Sequence, residues 1–205
     1  SADVVMDQIG LDDGSGIGTN ITGCQDFEAA YDIYDIATLD NFTGAGENIN
    51  MVEMVLNGWN GFLDPSSVTG YTANLHSNPA AAALDLIGDI GSSYVDAADA
   101  TVSATWAGAG FVVSMPTEMT AAAGTNWVSM VPSNPFATGG QTGVANALNG
   151  DGTYAWQANP GGGFGMPGNM QEMAGEAAYR VYDDGAPADP CSSPLPETCT
   201  ADVDG

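Results

Sequence analysis

Two short loops in this sequence combine the residue types that bind a hard cation. Asp12-Asp13-Gly-Ser15 and Asn149-Gly-Asp151-Gly place carboxylate or amide oxygens beside glycines. Calcium binds such oxygens together with main-chain carbonyls, which glycine-rich loops expose. The alternative is an ordinary turn whose side chains accept hydrogen bonds from the local main chain. We predict calcium at one or both loops, with ligands from Asp12, Asp13, Asn149 and Asp151.

The charge balance restricts the partners that this chain can have. It carries 26 acidic residues and one basic residue, Arg180, for a net charge of −25. Nucleic-acid binding depends on Lys and Arg that neutralise phosphates, and docking on anionic membrane surfaces needs basic patches. The composition therefore excludes both classes of partner. It also requires most carboxylates to be solvated, hydrogen-bonded or neutralised by metal ions.

The residue patterns that support catalysis are weak. His76 is the single histidine and lies in a strand-like segment, and the sequence has no Gly-x-Ser-x-Gly motif. Residues 163–168 match GxGxxG, but the strand and helix that dinucleotide binding requires do not flank them. Hydrolysis by two carboxylates needs only a suitable pair, and the sequence does not single one out. We predict a non-catalytic protein and keep the two-carboxylate hydrolase as an alternative.

Two of the three cysteines are expected to pair in an oxidising compartment. Cys191 and Cys199 enclose a short Pro-containing segment, and we predict that they form a disulfide. Cys24 is left over, either buried and inert or bridged to a second molecule. The Cys and His spacing does not match a zinc site.

The segments that position these residues are predicted to be strands. Residues 31–43 alternate between apolar and polar types, as in a strand with one wetter face. Similar short segments recur along the chain, separated by Gly- and Asn-containing turns. Residues 79–88 are helix-like, with a strand at 85–90 as the alternative. The four tryptophans lie in or beside strands, so most should be core residues and about one exposed. We predict an all-β fold, an antiparallel, jelly-roll-like β-sandwich with less than about 15% helix.

The composition changes near residue 185. We predict a β-sandwich domain over residues 1–185 and a Pro-rich C-terminal tail or linker over 186–205. Residues 1–3 are interpreted as a mature N-terminus left after removal of an export signal.

Several segments together resemble secreted β-sandwich proteins of planctomycete-type bacteria: YDIYDIATLDNFTG (31–44), VLNGWNGF (55–62), NPFATGGQTGV (134–144), AWQANPGGGFG (155–165) and AAYRVYDDG (177–185). The resemblance extends over residues 3–185 and implies an exported β-sandwich without implying an activity. Residues 199–205 resemble the start of a dockerin-like calcium loop. Asp202 and Asp204 would be its first two ligands if the loop were complete.

These observations favour an extracellular or cell-surface location and a structural or adhesive role. We expect a self-associating subunit of a surface layer, matrix or filament. The alternative is a calcium-dependent carbohydrate-binding module that recognises a polysaccharide in a secreted assembly. An exposed line of aromatic residues beside a calcium site would favour the alternative. A long unpaired edge strand would favour assembly.

Overall fold

The computed structural model describes residues 3–185 as two antiparallel β-sheets that share one core. Strand accounts for 51% of the structure and helix for 13%. The predicted all-β antiparallel sandwich, with less than about 15% helix, is therefore confirmed. The predicted disulfide between Cys191 and Cys199 and the dockerin-like ligands Asp202 and Asp204 lie outside the described residues and stay predictions.

The strands of the described part follow the chain as β1 (Val4–Asp7), β2 (Ile17–Gly23), β3 (Ala37–Gly44), β4 (Asn48–Trp59), β5 (Gly70–His76), β6 (Gly91–Asp96), β7 (Thr101–Trp106), β8 (Gly110–Thr120), β9 (Gly124–Ser133), β10 (Gln141–Ala147), β11 (Trp156–Ala158), β12 (Met170–Glu172), β13 (Glu176–Ala177) and β14 (Tyr179–Asp183). Two one-turn α-helices, α1 (Pro79–Ala82) and α2 (Phe136–Gly139), lie between strands. Short 3₁₀ helices occupy Ala29–Tyr34, Pro65–Ser67, Ala97–Asp99 and Pro167–Asn169.

Strand β4 organises the larger, eight-stranded sheet. One edge of β4 pairs with β8, which pairs in turn with β7. The other edge pairs with β14 along its first part and with β10 along its end, while β1 extends the sheet beyond β14. Strands β2 and β13 both pair with β10. The smaller sheet has the order β12-β11-β3-β9-β5-β6, so β7 and β6 are edge strands of the two sheets.

The core forms between the sheets because alternate residues of each strand point inward. Buried side chains from both sheets belong to one cluster, including Met54 and Val113 of the larger sheet and Leu75, Val128 and Met130 of the smaller. Residues 52–56 of β4 are all buried, so this strand is covered on both faces. The polar Glu53 within that run therefore needs a partner in the protein.

The alternation over residues 31–43 predicts a strand, and this prediction is wrong for its first part. Ala29–Tyr34 forms a 3₁₀ helix, and β3 begins only at Ala37. The Asn159 side chain donates hydrogen bonds to the carbonyls of Ile33 and Asp35, each at 2.8 Å. Gly163 N also donates to the Ile33 carbonyl at 2.9 Å. The loop after β11 thus takes the main-chain acceptors that a neighbouring strand would otherwise use.

The helix-like segment at 79–88 forms only one α-helical turn. The Asn78 side chain accepts a hydrogen bond from Ala81 N at 3.0 Å, and Pro79 occupies the first helical position. Strand structure does not form at 85–90, the alternative considered for this segment. Across residues 3–185, the helices are all too short for a membrane-spanning segment.

Candidate functional site

The two loops with calcium-binding composition lie side by side. Leu148 N donates to the Gly16 carbonyl at 2.8 Å, which joins the loop after β1 to the loop after β10. Gly10 and Gly16 permit this approach, because a Cβ atom on either would lie 2.6 Å from the Asn149 amide nitrogen. The two loops and the adjacent parts of β1 and β3 line an open cavity of about 990 Å³. We call this the acidic cavity; its polar lining includes Asp7, Gln8, Asn41, Asn149 and Asp151.

The four predicted calcium ligands divide into two pairs. Asn149 and Asp151 line the acidic cavity. Asp13 is exposed and accepts a hydrogen bond from Ser15 N at 2.9 Å, and hydrogen bonds from the Ser15 hydroxyl and amide lower its pKa. Asp12 is also exposed, with its carboxylate 3.6 Å from Arg180 Nη1. Asp13 therefore belongs to an ordinary turn and Asp12 to an ion pair, both beside the cavity.

Arg180 lies next to this cavity, among carboxylates. The register of β14 and β4 sets Arg180 opposite Glu53, and their side chains form an ion pair at 3.1 Å. Arg180 Nε is 3.0 Å from the Asp7 carboxylate, and Nη2 donates to the Gly10 carbonyl. Burial lowers the pKa of Arg180, but hydrogen bonds with Asp7 and Tyr182 outweigh it and raise the pKa. The one basic residue of the chain thus ties β1 and its following loop to the centre of the larger sheet.

A pair of buried carboxyl groups lies behind the cavity. The oxygens of Asp40 accept hydrogen bonds from Ala177 N at 2.6 Å and from Asn41 N at 2.8 Å. Burial raises the pKa of Asp40 to about 7, and the nearby charge of Glu176 adds to this shift. Burial also raises the pKa of Glu176, which accepts a hydrogen bond from Gly152 N at 2.8 Å. This carboxyl pair was not predicted, because its members lie on β3 and β13, far apart in the sequence.

Metal binding at this site would need amide or main-chain oxygens as well as carboxylates. Within residues 3–185, groups of three or more His, Cys, Asp and Glu side chains placed to hold a metal ion are absent. Asp151 accepts a hydrogen bond from the Asn41 side chain at 2.9 Å. Partial burial opposes ionisation of Asp151, but hydrogen bonds from Thr153 and Asn41 lower its pKa. Asp151 is therefore an ionised carboxylate at the mouth of the cavity at neutral pH.

A second surface consists of exposed aromatic rings. We call it the aromatic platform and define it by Phe27, Tyr31, Tyr34, Phe136 and Phe164, which together line a shallow depression. The ring centroids of Tyr31 and Phe136 are 5.9 Å apart, and those of Tyr34 and Phe164 are 5.3 Å apart, both edge to face. Tyr31, Phe136 and Phe164 remain exposed to solvent.

Local structure fixes the position of each part of the platform. The 3₁₀ helix at Ala29–Tyr34 carries Tyr31 and Tyr34. The Glu28 carboxylate accepts hydrogen bonds from Phe136 N at 2.7 Å and Ala137 N at 3.4 Å, which holds the start of α2 against this helix. Phe164 N donates to the Asn159 side chain at 3.0 Å. The same segment that departs from the predicted strand therefore builds the platform.

A groove of about 370 Å³ adjoins the platform. It shares Phe27 and Phe164 with the platform. It is also lined by Trp59, by the amides of Gln141, Gln157 and Gln171, and by residues 21–23 at the end of β2. Trp59 is 36% exposed, whereas Trp127 is 8% exposed. This agrees with the prediction that about one tryptophan is exposed. The sequence suggests that tryptophans and tyrosines could form such a platform, but periodicity does not show which aromatic side chains face solvent.

Cys24 is a buried free thiol in this structure. Its sulfur donates to the Met130 carbonyl at 3.3 Å, and burial raises the pKa of the thiol to about 11. A thiol that is buried and protonated at neutral pH does not react readily. Of the two alternatives for Cys24, the structure favours a buried, inert residue.

Comparisons of the chain with protein-family models, with curated proteins and with solved structures gave no match. The resemblance to secreted proteins of planctomycete-type bacteria therefore stays a prediction, and the function must be argued from the two surfaces.

Proposed function

We propose that this protein is a non-catalytic extracellular adhesive module that binds a neutral polysaccharide through the aromatic platform and the adjoining groove. The observation that carries the proposal is the exposed cluster of rings beside uncharged amide side chains. The proposal does not include calcium-dependent recognition, because the acidic cavity reaches Gly16, just before β2, whereas the groove is lined by residues 21–23 at the other end of β2.

The chemistry of the platform and groove suits sugar rings. The apolar faces of sugars pack against aromatic rings, and their hydroxyl groups need hydrogen-bond donors and acceptors. Gln141, Gln157 and Gln171 supply both, since each side-chain amide contains an NH₂ group and a carbonyl oxygen. The residues that line the platform and groove are uncharged.

The net charge favours a neutral ligand over other occupants. Two molecules that each carry a charge of −25 repel each other, and an anionic polysaccharide would be repelled in the same way. A neutral polysaccharide meets no such barrier. The same composition, together with the resemblance to exported proteins, is our basis for the extracellular location.

The test is retardation of the full chain in native gels that contain neutral or anionic polysaccharides. We expect retardation by a neutral glucan, xylan or mannan and none by alginate. Tyr31→Ala and Phe164→Ala should each weaken binding about tenfold, which corresponds to about 1.4 kcal/mol. Tyr154→Ala is the matched control, because Tyr154 is 46% exposed but lies outside the platform and groove. Equal migration in all gels, or wild-type binding by both platform variants, would contradict the proposal.

A second candidate function, assembly into a layer or filament, is favoured by edge strand β7. Its sequence, Thr-Val-Ser-Ala-Thr-Trp, contains no charged residue, and within residues 3–185 it pairs only with β8. Such edges can pair with a second chain. A register shift between Val102 and Ala104 opposes this, since bulges distort the edge.

Sedimentation of two lysine variants tests the assembly candidate. Val102 of β7 and Val4 of edge strand β1 are similarly exposed, at 48% and 49%. If the wild type assembles through β7, Val102→Lys should yield monomers and Val4→Lys should not. The reverse result would assign assembly to the N-terminal strand, and a monomeric wild type would exclude this function.

A further inference from the structure

Two amide side chains, of Gln8 and Asn41, line the acidic cavity, and each has a buried oxygen without a partner. Gln8 is only 4% exposed, and its amide nitrogen donates to Glu176 Oε2 at 3.2 Å. The amide nitrogen of Asn41 donates to Asp151 Oδ2 at 2.9 Å. Gln8 Oε1 and Asn41 Oδ1 are both buried and have no hydrogen-bond partner. Both residues line the cavity.

These hydrogen bonds fix the orientation of both amides. Rotating either amide by half a turn would bring its oxygen against a carboxylate oxygen, which cannot donate a hydrogen bond when ionised. Both unpartnered atoms are therefore acceptors. A buried acceptor without a partner destabilises the folded state, so the cavity needs an occupant that supplies hydrogen-bond donors or positive charge.

The surroundings of the two oxygens favour positive charge. Asp151 lines the same cavity, and the carboxyl groups of Glu176 and Asp40 lie behind it. The one basic side chain of the protein, Arg180, is already engaged by Asp7, Asp12 and Glu53. A water molecule would also partner the two oxygens, but a cation would in addition be attracted by the Asp151 carboxylate.

We propose that the acidic cavity binds a calcium ion through Gln8 Oε1, Asn41 Oδ1 and the Asp151 carboxylate. Calcium accepts six to eight oxygen ligands in flexible geometry, including carboxylates, amide and main-chain carbonyls and water. Magnesium is less suitable, because it requires near-ideal octahedral geometry and retains its waters. The carboxyl groups of Glu176 and Asp40 lie behind the site and do not coordinate the ion. This proposal is independent of polysaccharide binding.

A bound ion would connect parts of the protein that are distant in the sequence. Gln8 follows β1 of the larger sheet, Asn41 belongs to β3 of the smaller sheet, and Asp151 lies in the loop between β10 and β11. The ion would therefore join the two sheets and hold the N-terminal strand. This role explains why we expect binding to raise thermal stability.

The experiment is calorimetric titration of the chelator-treated full chain with calcium chloride, paired with thermal unfolding. We expect saturable binding of calcium and a rise in the midpoint temperature larger than sodium chloride gives at equal ionic strength. Magnesium should bind at least about tenfold more weakly. Asp151→Asn and Gln8→Met should each weaken calcium binding by more than about tenfold.

Three variants serve as controls and should bind calcium like the wild type. Asn50→Ala removes another unpartnered amide oxygen, which lies in β4 and does not line the cavity. Asp12→Asn/Asp13→Asn removes the exposed loop carboxylates. Asp202→Asn/Asp204→Asn removes the predicted dockerin-like ligands. Loss of binding in either double variant would assign calcium to that segment and overturn the proposal.

A measurement on the wild-type protein keeps the proposal testable if the cavity variants do not fold. The side-chain amide signals of Gln8 and Asn41 in nuclear magnetic resonance spectra should shift on addition of calcium, while the Asn50 signal should not. Unchanged Gln8 and Asn41 signals at saturating calcium, or a calcium effect equal to that of sodium chloride, would overturn the proposal.

Discussion

The acidic cavity and the aromatic platform differ in the interactions that hold their side chains in place. Strand β2 leads from one to the other, since Gly16, just before it, lines the cavity and residues 21–23 line the groove beside the platform. Buried polar and charged groups lie in and behind the lining of the cavity, and they depend on partners from other strands. The platform contains exposed rings that depend mainly on their local segments. Substitutions at the cavity should therefore alter stability, whereas those at the platform should alter binding.

The two regions differ because burial of a charged group costs free energy, whereas exposure of an aromatic ring does not require a partner. A buried carboxylate is tolerated only with hydrogen bonds, a counter-ion or a bound proton, and the cavity region uses all three. Glu53 pairs with Arg180, and Asp40 accepts two main-chain hydrogen bonds and retains a proton to higher pH. The rings of Phe136 and Phe164 have no such requirement and remain exposed.

The largest effect on stability is expected from replacement of Arg180, the buried cation. Arg180→Met leaves Glu53 without its ion-pair partner, and we expect a loss of about 3–5 kcal/mol in the free energy of unfolding. Urea denaturation at neutral pH measures this loss. Arg180→Lys retains the charge but not the planar set of donors, so it should fall between the wild type and Arg180→Met. A loss below about 1 kcal/mol for Arg180→Met would show that charge compensation does not hold this region together.

The second-largest effect is a pH dependence of the free energy of unfolding, which originates at Asp40. Burial raises its folded-state pKa to about 7 from the ordinary value of 3.8. Between these values the unfolded chain releases the proton while the folded protein retains it. Folded-state stability should therefore fall as pH rises from 5 to 7, by about 2 kcal/mol for this one group.

Denaturant unfolding of the wild type and Asp40→Asn across this range isolates the contribution of Asp40. The comparison is needed because burial lowers the pKa of His76, which gives stability the opposite dependence on pH. Calcium should flatten the wild-type profile if it binds nearby, since a cation favours the ionised carboxylate. Parallel profiles for the two proteins without calcium would contradict the assignment to Asp40.

A smaller loss of stability is expected when a new side chain crowds the carboxyl pair of Asp40 and Glu176. A Cβ atom at Gly150 would lie 2.3 Å from the Cγ and Cδ atoms of Glu176, so Gly150→Ala must displace this side chain. We expect destabilisation of about 1–3 kcal/mol. Gly175→Ala is the control, because the nearest atom there is 4.0 Å away and it should be neutral or stabilising. Equal midpoints of thermal unfolding for the two variants would show that the loop around Gly150 shifts to accommodate the added methyl group without loss of stability.

The smallest effect on stability is expected at the platform. Phe164 is 45% exposed, so Phe164→Ala should change the free energy of unfolding by less than about 1 kcal/mol. The same variant should weaken polysaccharide binding about tenfold. A large loss of stability would show that the ring supports the fold instead of forming a recognition surface.

The sequence predicted the fold class, whereas its candidate calcium ligands stay predictions. Alternating residues and turn dipeptides predicted an antiparallel sandwich, because these patterns depend on local geometry. The same patterns failed at residues 31–36, where Asn159 takes the main-chain acceptors of Ile33 and Asp35. Asn149 and Asp151 were identified as candidate ligands by composition alone. Gln8 and Asn41 were missed, since an amide residue becomes a candidate ligand only when its oxygen is buried without a partner.

The sequence by itself determined the chemical character of the protein. One arginine against 26 acidic residues is our reason to expect no phosphate-rich partner, and it requires that buried carboxylates find other compensation. The tertiary structure alone decided which carboxylates are buried and what compensates them. Asp40 meets Ala177 N across 137 positions, and Glu53 meets Arg180 across 127, through strand order and register. Strand order and register are set by the packing of the whole sandwich, so local residue patterns do not contain them.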